Sequence, residues 1–187
     1  MNILCLQDGS KKTELSGDLL RKIGEAAQET GNSLEIIDLA EGELAYCIGC
    51  LRCWATESEG CFFRDRMDEL EKKLEASGLL LYITPVIFGT CTHLIKIAVE
   101  KGLGSNLFNE RHRPQLFIGY AENLPENTVD DEIQCFIDIV SKHMGRADIV
   151  HPELSDIPVD VMATRSLSSN SIIAEKFKVL YLEGLSK

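Results

Sequence analysis

The sequence predicts an α/β fold in which helices cover both faces of a doubly wound parallel sheet. Strand-like apolar segments alternate with amphipathic helix-like segments along the 187 residues, and this alternation implies repeated βαβ crossovers. One segment, Leu79–Ile83, is a continuous apolar run of the kind found in central parallel strands. The length suits one domain, and the sequence has no repeat or low-complexity linker. We therefore expect a single domain over residues 1–187.

The first half of the chain predicts three strands and two helices. Asn2–Leu6 is a short apolar run that stops at a polar turn, which is typical of a buried strand. Residues 13–30 carry leucine, isoleucine and alanine on one helical face and predict the first helix. Leu34–Leu39 is the second predicted strand. Asp65 is suited to cap the next helix, which leads into the third strand at Leu79–Ile83.

The second half of the chain is less regular. A helix with apolar residues at helical spacing is expected to end near Gly102, and Gln115–Tyr120 is the fourth predicted strand. A further helix follows, and Ala147–Val150 is then expected to form a short fifth strand. We assign no element to residues 151–165. Ser171–Leu185 has the apolar spacing of a terminal helix.

Charge and hydropathy exclude several classes of protein. The chain has 19 Lys and Arg residues against 30 Asp and Glu residues, so its net charge is −11. This excess of negative charge would repel nucleic acid and anionic membrane surfaces. No apolar run approaches the roughly 20 residues that span a bilayer. The N-terminus lacks the basic segment of a secretory signal. We expect a cytoplasmic protein without nucleic-acid or membrane partners.

The loop after the first strand has features of an anion site. Open parallel sheets bind ligands beyond the carboxyl ends of their strands, so this loop is placed to meet one. It begins with Gly9-Ser10, continues through Lys11 and Lys12, and opens onto a helix N-terminus near Thr13. Backbone N–H groups, hydroxyls and the helix dipole suit the phosphate of a mononucleotide. The P-loop and GxGxxG spacings are absent. An ordinary capped turn explains these residues equally well.

The loop after the third strand is suited to an aromatic ring system. It reads Thr84-Pro85-Val86-Ile87-Phe88-Gly89-Thr90. The proline fixes the exit of the strand, and the glycine lets backbone approach a flat group closely. Exposed backbone groups beside apolar side chains would meet the polar edge of such a ring. A hydrophobic turn packed against a helix would have the same sequence.

Four of the seven cysteines lie within fifteen residues. They are Cys47, Cys50, Cys53 and Cys61. In a reducing compartment such a group indicates metal ligation or redox chemistry. The first three have the spacing that bacterial ferredoxins use around a 4Fe-4S cluster, and Cys61 is placed to be a fourth ligand. Unligated thiols, a zinc site, and a single redox thiol activated by Arg52 remain as alternatives.

Taken together, these motifs resemble a known family. Three motifs are similar to those of the flavodoxin-like NAD(P)H-dependent FMN reductases. They are a Gly-Ser start after strand one, a Cys-x-x-Cys loop after strand two and a Pro-Val-x-Phe-Gly turn after strand three. Within that group, the four-cysteine loop at 47–61 resembles that of the iron-sulfur flavoproteins. The resemblance covers about the first 100 residues. The family usually has Pro-Arg after Gly-Ser, where this chain has Lys11-Lys12 in a shortened loop.

The resemblance implies a fold and a set of ligand contacts. The expected fold is a flavodoxin-like three-layer sandwich with a five-stranded parallel sheet that binds FMN. The residues implied to contact the FMN phosphate are Ser10, Lys11, Lys12 and Ser16. Those implied to contact the isoalloxazine ring are Pro85, Val86, Ile87, Phe88 and Gly89. The implied ligands of a 4Fe-4S cluster are Cys47, Cys50, Cys53 and Cys61.

The resemblance also implies an activity. We expect an FMN oxidoreductase or electron-transfer flavoprotein with NAD(P)H or a reduced ferredoxin as donor. Because hydride transfer to a flavin requires no acid–base residue, we expect no catalytic side chain. The expected partners are a small-molecule or protein redox partner and further copies of this chain, in a homodimer or homotetramer with contacts at 104–114. The alternative function is a non-enzymatic redox carrier, or a thiol or metal sensor, that uses the four-cysteine loop.

Overall fold

The computed structural model describes residues 1–50, 52, 61–104, 114–122, 124–143 and 159–183. The strands in these ranges are β1 (Asn2–Gln7), β2 (Ser33–Asp38), β3 (Leu79–Pro85), β4 (Gln115–Tyr120) and β5 (Val159–Thr164). All pairings are parallel, and the order across the sheet is β2-β1-β3-β4-β5. This order is the flavodoxin-like one, so the predicted fold class is confirmed.

Helices cover both faces of the sheet. They are α1 (Glu14–Glu29), α2 (Met67–Ala76), α3 (His93–Gly104), α4 (Val129–His143) and α5 (Leu167–Phe177), which continues into a π-helical turn at Lys178–Glu183. In the ranges that the structure describes, none of the helices has both the length and the apolar character needed to cross a bilayer.

The core has two layers, one on each face of the sheet. On one face, α1 and α5 bury Ile23 and Phe177 against strand residues such as Leu81. On the other face, α2, α3 and α4 pack against a layer centred on Tyr82 and Phe117, whose rings stack with centroids 4.4 Å apart. Every residue of β3 and β4 is buried, as the continuous apolar run of the third strand predicts.

The C-terminal elements differ from those predicted. The fifth strand of the sheet is Val159–Thr164, within the stretch to which the sequence analysis assigned no element. The strand expected at Ala147–Val150 lies outside the described residues. The terminal helix begins at Leu167, four residues before the predicted start, because Ser166 caps it by accepting a hydrogen bond from the Ser169 N–H. Residues 105–113 of the predicted contact segment also lie outside the described residues.

Candidate functional site

The two loops with predicted ligand contacts leave the sheet side by side. β1 and β3 are neighbours, and the Asp8 N–H donates to the Ile83 carbonyl at 3.1 Å where they end. The chain winds from β1 toward β2 in one direction and returns to β3 in the other. The gap between β1 and β3 is therefore the topological switch point, where sheets of this order bind their ligands.

The side chains of the loop after β1 divide into two groups. The side chains of Ser10, Lys11 and Lys12 are exposed at the tip of the loop. Ser16 is buried, and its hydroxyl belongs to a capping box with Thr13: the Thr13 N–H donates to the Ser16 Oγ at 3.0 Å, and the Ser16 N–H donates to the Thr13 Oγ1 at 3.1 Å. Ser16 therefore contributes to the start of α1, and its predicted contact with phosphate stays a prediction.

The backbone of this loop provides donors for an anion. Among the described hydrogen bonds, none is donated by the backbone N–H groups of Lys11, Lys12, Glu14 or Leu15. The last two lie in the first turn of α1, where the helix dipole favours negative charge. The two lysine ammonium groups add positive charge nearby. This donor set fits a phosphate monoester such as that of FMN.

Two carboxylates occupy the base of the same loop. The Gly9 N–H donates to the Asp38 Oδ1 at 2.9 Å, and the Ser10 N–H donates to the Asp8 Oδ1 at 2.9 Å. Asp38 Oδ1 also accepts from the Ala40 N–H at 3.0 Å. A Cβ atom at Gly9 would lie 1.9 Å from Asp38 Oδ2, so any other residue here would have to displace the Asp38 carboxylate. Neither aspartate belongs to a motif that the sequence pattern singles out, although each lies at the carboxyl end of a predicted strand.

Tyr120, the last residue of β4, ties the loop to the sheet. Its hydroxyl donates to the Lys11 carbonyl at 3.3 Å. Burial raises the pKa of Tyr120 to about 12, and the carboxylates of Asp8, Glu122 and Asp38 act in the same direction. The phenol therefore keeps its proton at neutral pH and remains a hydrogen-bond donor to the loop.

The loop after β3 forms a tight turn with an exposed apolar tip. Ile87 and Thr90 exchange backbone hydrogen bonds of 3.0 and 3.1 Å. The residues between them have positive φ, +49° at Phe88 and +66° at Gly89, which is the geometry of a type I′ turn. The side chain of Phe88 is 88% exposed and that of Ile87 is 40% exposed. No described hydrogen bond involves the backbone of Phe88 or Gly89; Phe88 is exposed, whereas Gly89 is buried.

The remaining predicted ring contacts are buried beneath the turn. Pro85 ends β3, and the Val86 N–H donates to the Tyr120 carbonyl at 2.9 Å. Helix α4 packs against the turn so closely that a Cβ at Gly89 would lie 2.4 Å from the Cys135 Sγ. The turn therefore has a rigid base, and its exposed part consists of backbone and two apolar side chains.

The cysteine segment, which runs from residue 45 to residue 65, has solvent-exposed thiols among its described residues. Cys47 and Cys50 are exposed, Cys61 is half-buried, and Cys53 lies outside the described residues. No three His, Cys, Asp or Glu side chains within the described ranges are placed to hold a metal ion. Thiolates are the usual ligands of iron-sulfur clusters, so the donor chemistry suits a cluster. The four-cysteine site stays a prediction, because one of its ligands is not described.

Asp65 holds the two ends of the cysteine segment against α3. Its Oδ2 accepts hydrogen bonds from the Ala45 N–H at 2.7 Å and from the ammonium of Lys101, and its Oδ1 accepts from the Met67 N–H at 2.9 Å. Lys101 is only 3% exposed. Burial would raise the pKa of Asp65, but these hydrogen bonds hold it below its ordinary value. The pair therefore fixes residues 45 and 65 to one helix.

Tyr46 brings the cysteine segment close to the turn after β3. Its ring lies 6.4 Å, centroid to centroid, from the ring of His93, the first residue of α3. At the other end of the segment, the Cys61 N–H hydrogen-bonds to the buried carboxyl of Glu71, and burial raises the pKa of that carboxyl. The start of the cysteine segment is thus placed beside the N-terminus of α3, and Cys61 is placed beside α2.

Comparison with known proteins finds similarity to FMN reductases and to iron-sulfur flavoproteins. A family profile described as NADPH-dependent FMN reductase matches residues 1–140. An iron-sulfur flavoprotein from Methanocaldococcus jannaschii is 33% identical over 134 residues, and the match covers 68% of this chain and 67% of that protein. An iron-sulfur flavoprotein from Archaeoglobus fulgidus is 26% identical over 117 residues, which cover 63% of this chain. The matched segment is 56% of that relative's own length.

Solved structures show the same fold. The NAD(P)H:quinone oxidoreductase from Methanothermobacter marburgensis superimposes with a TM-score of 0.67, and the alignment covers 95% of this chain and 94% of that one. The two sequences are 12% identical, so this similarity concerns the fold alone.

Proposed function

This chain belongs to the NADPH-dependent FMN reductase family, and we propose that it is an FMN-dependent oxidoreductase that holds its flavin between the loops after β1 and β3. The observation that carries the proposal is the position of these loops. The N-terminus of α1 and the turn after β3 follow the two strands that flank the switch point of the sheet, where this strand order binds its ligands.

The chain's own residues would bind and orient the flavin. The backbone N–H groups at the start of α1, with Lys11 and Lys12, would hold the phosphate. The exposed backbone of Phe88 would meet the polar edge of the isoalloxazine, and Ile87 would cover part of its face. Bound FMN supplies the electron-transfer chemistry, so the protein needs to contribute binding, orientation and electrostatics. We therefore assign no catalytic side chain.

We further propose that NAD(P)H is the electron donor and that Cys47, Cys50, Cys53 and Cys61 bind a 4Fe-4S cluster. The names of the curated relatives and the exposure of two of these thiols support the cluster. The proposed acceptor is a small molecule or a redox protein, and the proposed setting is the cytoplasm. Cys47, Cys50, Cys53 and Cys61 would hold the cluster, which would supply one-electron redox chemistry.

The visible absorption spectrum of protein purified without oxygen tests this function. Flavin bands above a broad brown absorption, both bleached by dithionite, are expected for a flavoprotein that holds a cluster. Flavin bands alone would contradict the proposed cluster and would still support an FMN-dependent oxidoreductase. A colourless protein that also fails to take up added FMN would overturn the proposal.

A second candidate function is a redox carrier or thiol sensor that uses the cysteine segment. The exposure of Cys47 and Cys50 favours it, because exposed thiols are accessible to oxidants and to partner proteins. Steady-state oxidation of NAD(P)H separates the two functions. The oxidoreductase should oxidise NAD(P)H catalytically once supplied with FMN, whereas a carrier or sensor should show almost no turnover.

A further inference from the structure

Two backbone N–H groups of the loop after β1 are already hydrogen-bonded to carboxylates of the protein itself. An anion-binding loop normally directs consecutive backbone N–H groups at its ligand. Here the N–H groups of Gly9 and Ser10 instead donate to Asp38 and Asp8, each at 2.9 Å. Two of the loop's donors are thus saturated, and two negative charges lie one hydrogen bond from the loop backbone.

These two charges are shielded from water. Asp8 is 3% exposed, and the side chain of Asp38 is 9% exposed. The ammonium of Lys12 lies 3.8 Å from the Asp38 Oδ2, but its side chain is 76% exposed, so it offsets that charge only weakly. Glu122 adds a third carboxylate that acts on the neighbouring Tyr120 phenol. A dianionic phosphate at the start of α1 would therefore bind beside several negative charges.

We propose that Asp8 and Asp38 make this flavin site nearly indifferent to the phosphate, so that it takes riboflavin almost as well as FMN and holds either as an exchangeable ligand. This rests on the proposed function, because it presupposes that a flavin binds between the two loops. The attraction of the α1 N-terminus and the lysines for a phosphate is offset by repulsion from the two carboxylates. Flavin affinity would then come from the ring and the ribityl chain.

The charges of the two carboxylates set the size of the expected effect. Each carboxylate stays hydrogen-bonded to the loop, so it cannot move away when a phosphate binds without breaking a 2.9 Å hydrogen bond. For a dianionic phosphate about 6 Å away, Coulomb repulsion at a water-like dielectric constant corresponds to about a tenfold loss of affinity per carboxylate. Asn in place of Asp removes this charge and keeps the carbonyl oxygen that accepts the loop N–H.

The experiment measures dissociation constants for FMN and riboflavin by quenching of flavin fluorescence in flavin-free protein. Wild type is compared with Asp8→Asn, Asp38→Asn and the control Asp138→Asn. Asp138 is exposed on α4, nine residues beyond the start of that helix. Its substitution by Asn removes the same charge at a position away from the loop. The ratio of the two constants isolates the phosphate, because ring and ribityl contacts are common to both ligands.

We expect FMN to bind wild type less than about tenfold more tightly than riboflavin, and we expect the preference for FMN to rise by about tenfold in Asp8→Asn and in Asp38→Asn. Riboflavin affinity should stay constant, which also shows that each variant is folded. Asp138→Asn should leave the ratio unchanged.

Two results would overturn the inference while leaving the proposed function intact. One is a wild-type preference for FMN of a thousandfold or more, which needs no variant to be measured. The other is an unchanged ratio in both loop variants when they bind riboflavin normally. Failure of wild type to bind either flavin is a different outcome, because it overturns the proposed function itself.

Discussion

The two serines of the loop after β1 have different structural roles, although the same function was predicted for both. The Ser16 hydroxyl completes the capping box of α1, whereas the Ser10 side chain is exposed. We therefore expect Ser16→Ala to lower the free energy of unfolding by about 1 kcal/mol, the usual cost of a lost helix cap. Its FMN affinity should stay within about twofold of wild type. Urea denaturation and flavin titration provide the two measurements.

Ser10→Ala is the matched control for this prediction. It removes the same hydroxyl from the same loop and should leave stability within about 0.5 kcal/mol of wild type. If Ser16→Ala kept full stability but lost its affinity for FMN, the Ser16 hydroxyl would be a phosphate ligand and its role in the cap would be unimportant.

The ion pair of Asp65 with Lys101 carries a second residue-level prediction. Lys101 is buried, so Lys101→Met leaves the Asp65 carboxylate without its charged partner and should cost about 3 kcal/mol of unfolding free energy. Lys72→Met is the control, because Lys72 is exposed on α2 and has no ion pair within the described residues. Equal losses in the two variants would contradict a stabilising role for the pair.

Acid pH gives an independent test of the same pair. The pKa of Asp65 is lower in the folded protein than in the unfolded chain. Its contribution to stability is thus complete above the unfolded value of about 3.9 and is lost as pH falls through the folded value. We expect wild type to be more stable than Asp65→Asn at pH 7, and the difference to shrink below about pH 4. Denaturation curves at several pH values measure it, and a constant difference would contradict the assignment.

The aspartates at the site show what a single sequence leaves out. Asp8 and Asp38 could be placed at the carboxyl ends of strands, but the hydrogen bond from the Gly9 N–H to Asp38 depends on β1 and β2 being neighbours in register. The Lys101 ammonium reaches Asp65 from a helix 36 residues further along the chain. Sequence periodicity predicts which face of an element is buried, but it does not predict such long-range polar contacts.

At the scale of elements, the turn after β3 is shaped by two residues of positive φ. Gly89 has φ +66°, and a Cβ there would approach the Cys135 Sγ to 2.4 Å. We expect Gly89→Ala to lose about 3 kcal/mol of unfolding free energy, from the left-handed backbone and from the overlap together. Gly31→Ala is the control, because Gly31 has φ +69° with no atom within 4 Å of a Cβ. It should lose only about 1 kcal/mol, the backbone part alone.

Phe88 lies in the same turn, but its replacement by glycine is expected to stabilise the protein. A bulky residue at φ +49° is strained, and this side chain is 88% exposed, so little burial offsets the strain. We expect Phe88→Gly to raise the free energy of unfolding by about 0.5 kcal/mol, since relief of the left-handed strain slightly exceeds the entropy cost of glycine. Thermal denaturation measures it. A clear loss of stability would mean that the ring packs against the protein.

The elements that sequence analysis placed correctly share one property, which is a strong apolar pattern. β3 and β4 are buried along their whole length, so their sequences are nearly continuous apolar runs. β5 lies at the edge of the sheet, and residues 161–163 are only half-buried. An edge strand of this kind needs no continuous apolar run, and its sequence gives no distinct signal. The position of β5 therefore could not be predicted from periodicity.

At the scale of the whole molecule, alternation of strands and helices was enough to predict a parallel sheet covered on both faces. The strand order followed from the resemblance to a family, because the alternation alone does not fix it. The two ligand loops could also be predicted, since parallel strands bring their carboxyl ends to one edge. The arrangement of the cysteine sulfurs was not predictable, because spacing limits how far apart thiols lie and leaves their directions undetermined.

Self-association is the last prediction, and it depends on the balance between charge and apolar surface. Each chain has a net charge of −11, so two copies repel each other at low ionic strength. The C-terminal helix nevertheless exposes large apolar side chains: Ile172 is 59% exposed, and Val179 and Leu180 are 49% and 55% exposed. Spacings of seven and eight residues from Ile172 place the latter two near the same side of a helix. We propose that these side chains contribute to a homodimer or homotetramer.

Salt dependence distinguishes this assembly from charge effects. Raising the ionic strength screens the repulsion between the chains, so we expect light scattering to show tighter association at about 0.5 M salt than at about 0.05 M. Ile172→Glu and Ile172→Lys change the net charge in opposite directions, but both place a charge on the apolar face. Both should therefore weaken association. If the lysine variant associated as strongly as wild type, charge alone would control assembly and the apolar face would have no part in it; a monomer at every salt concentration would exclude the oligomer altogether.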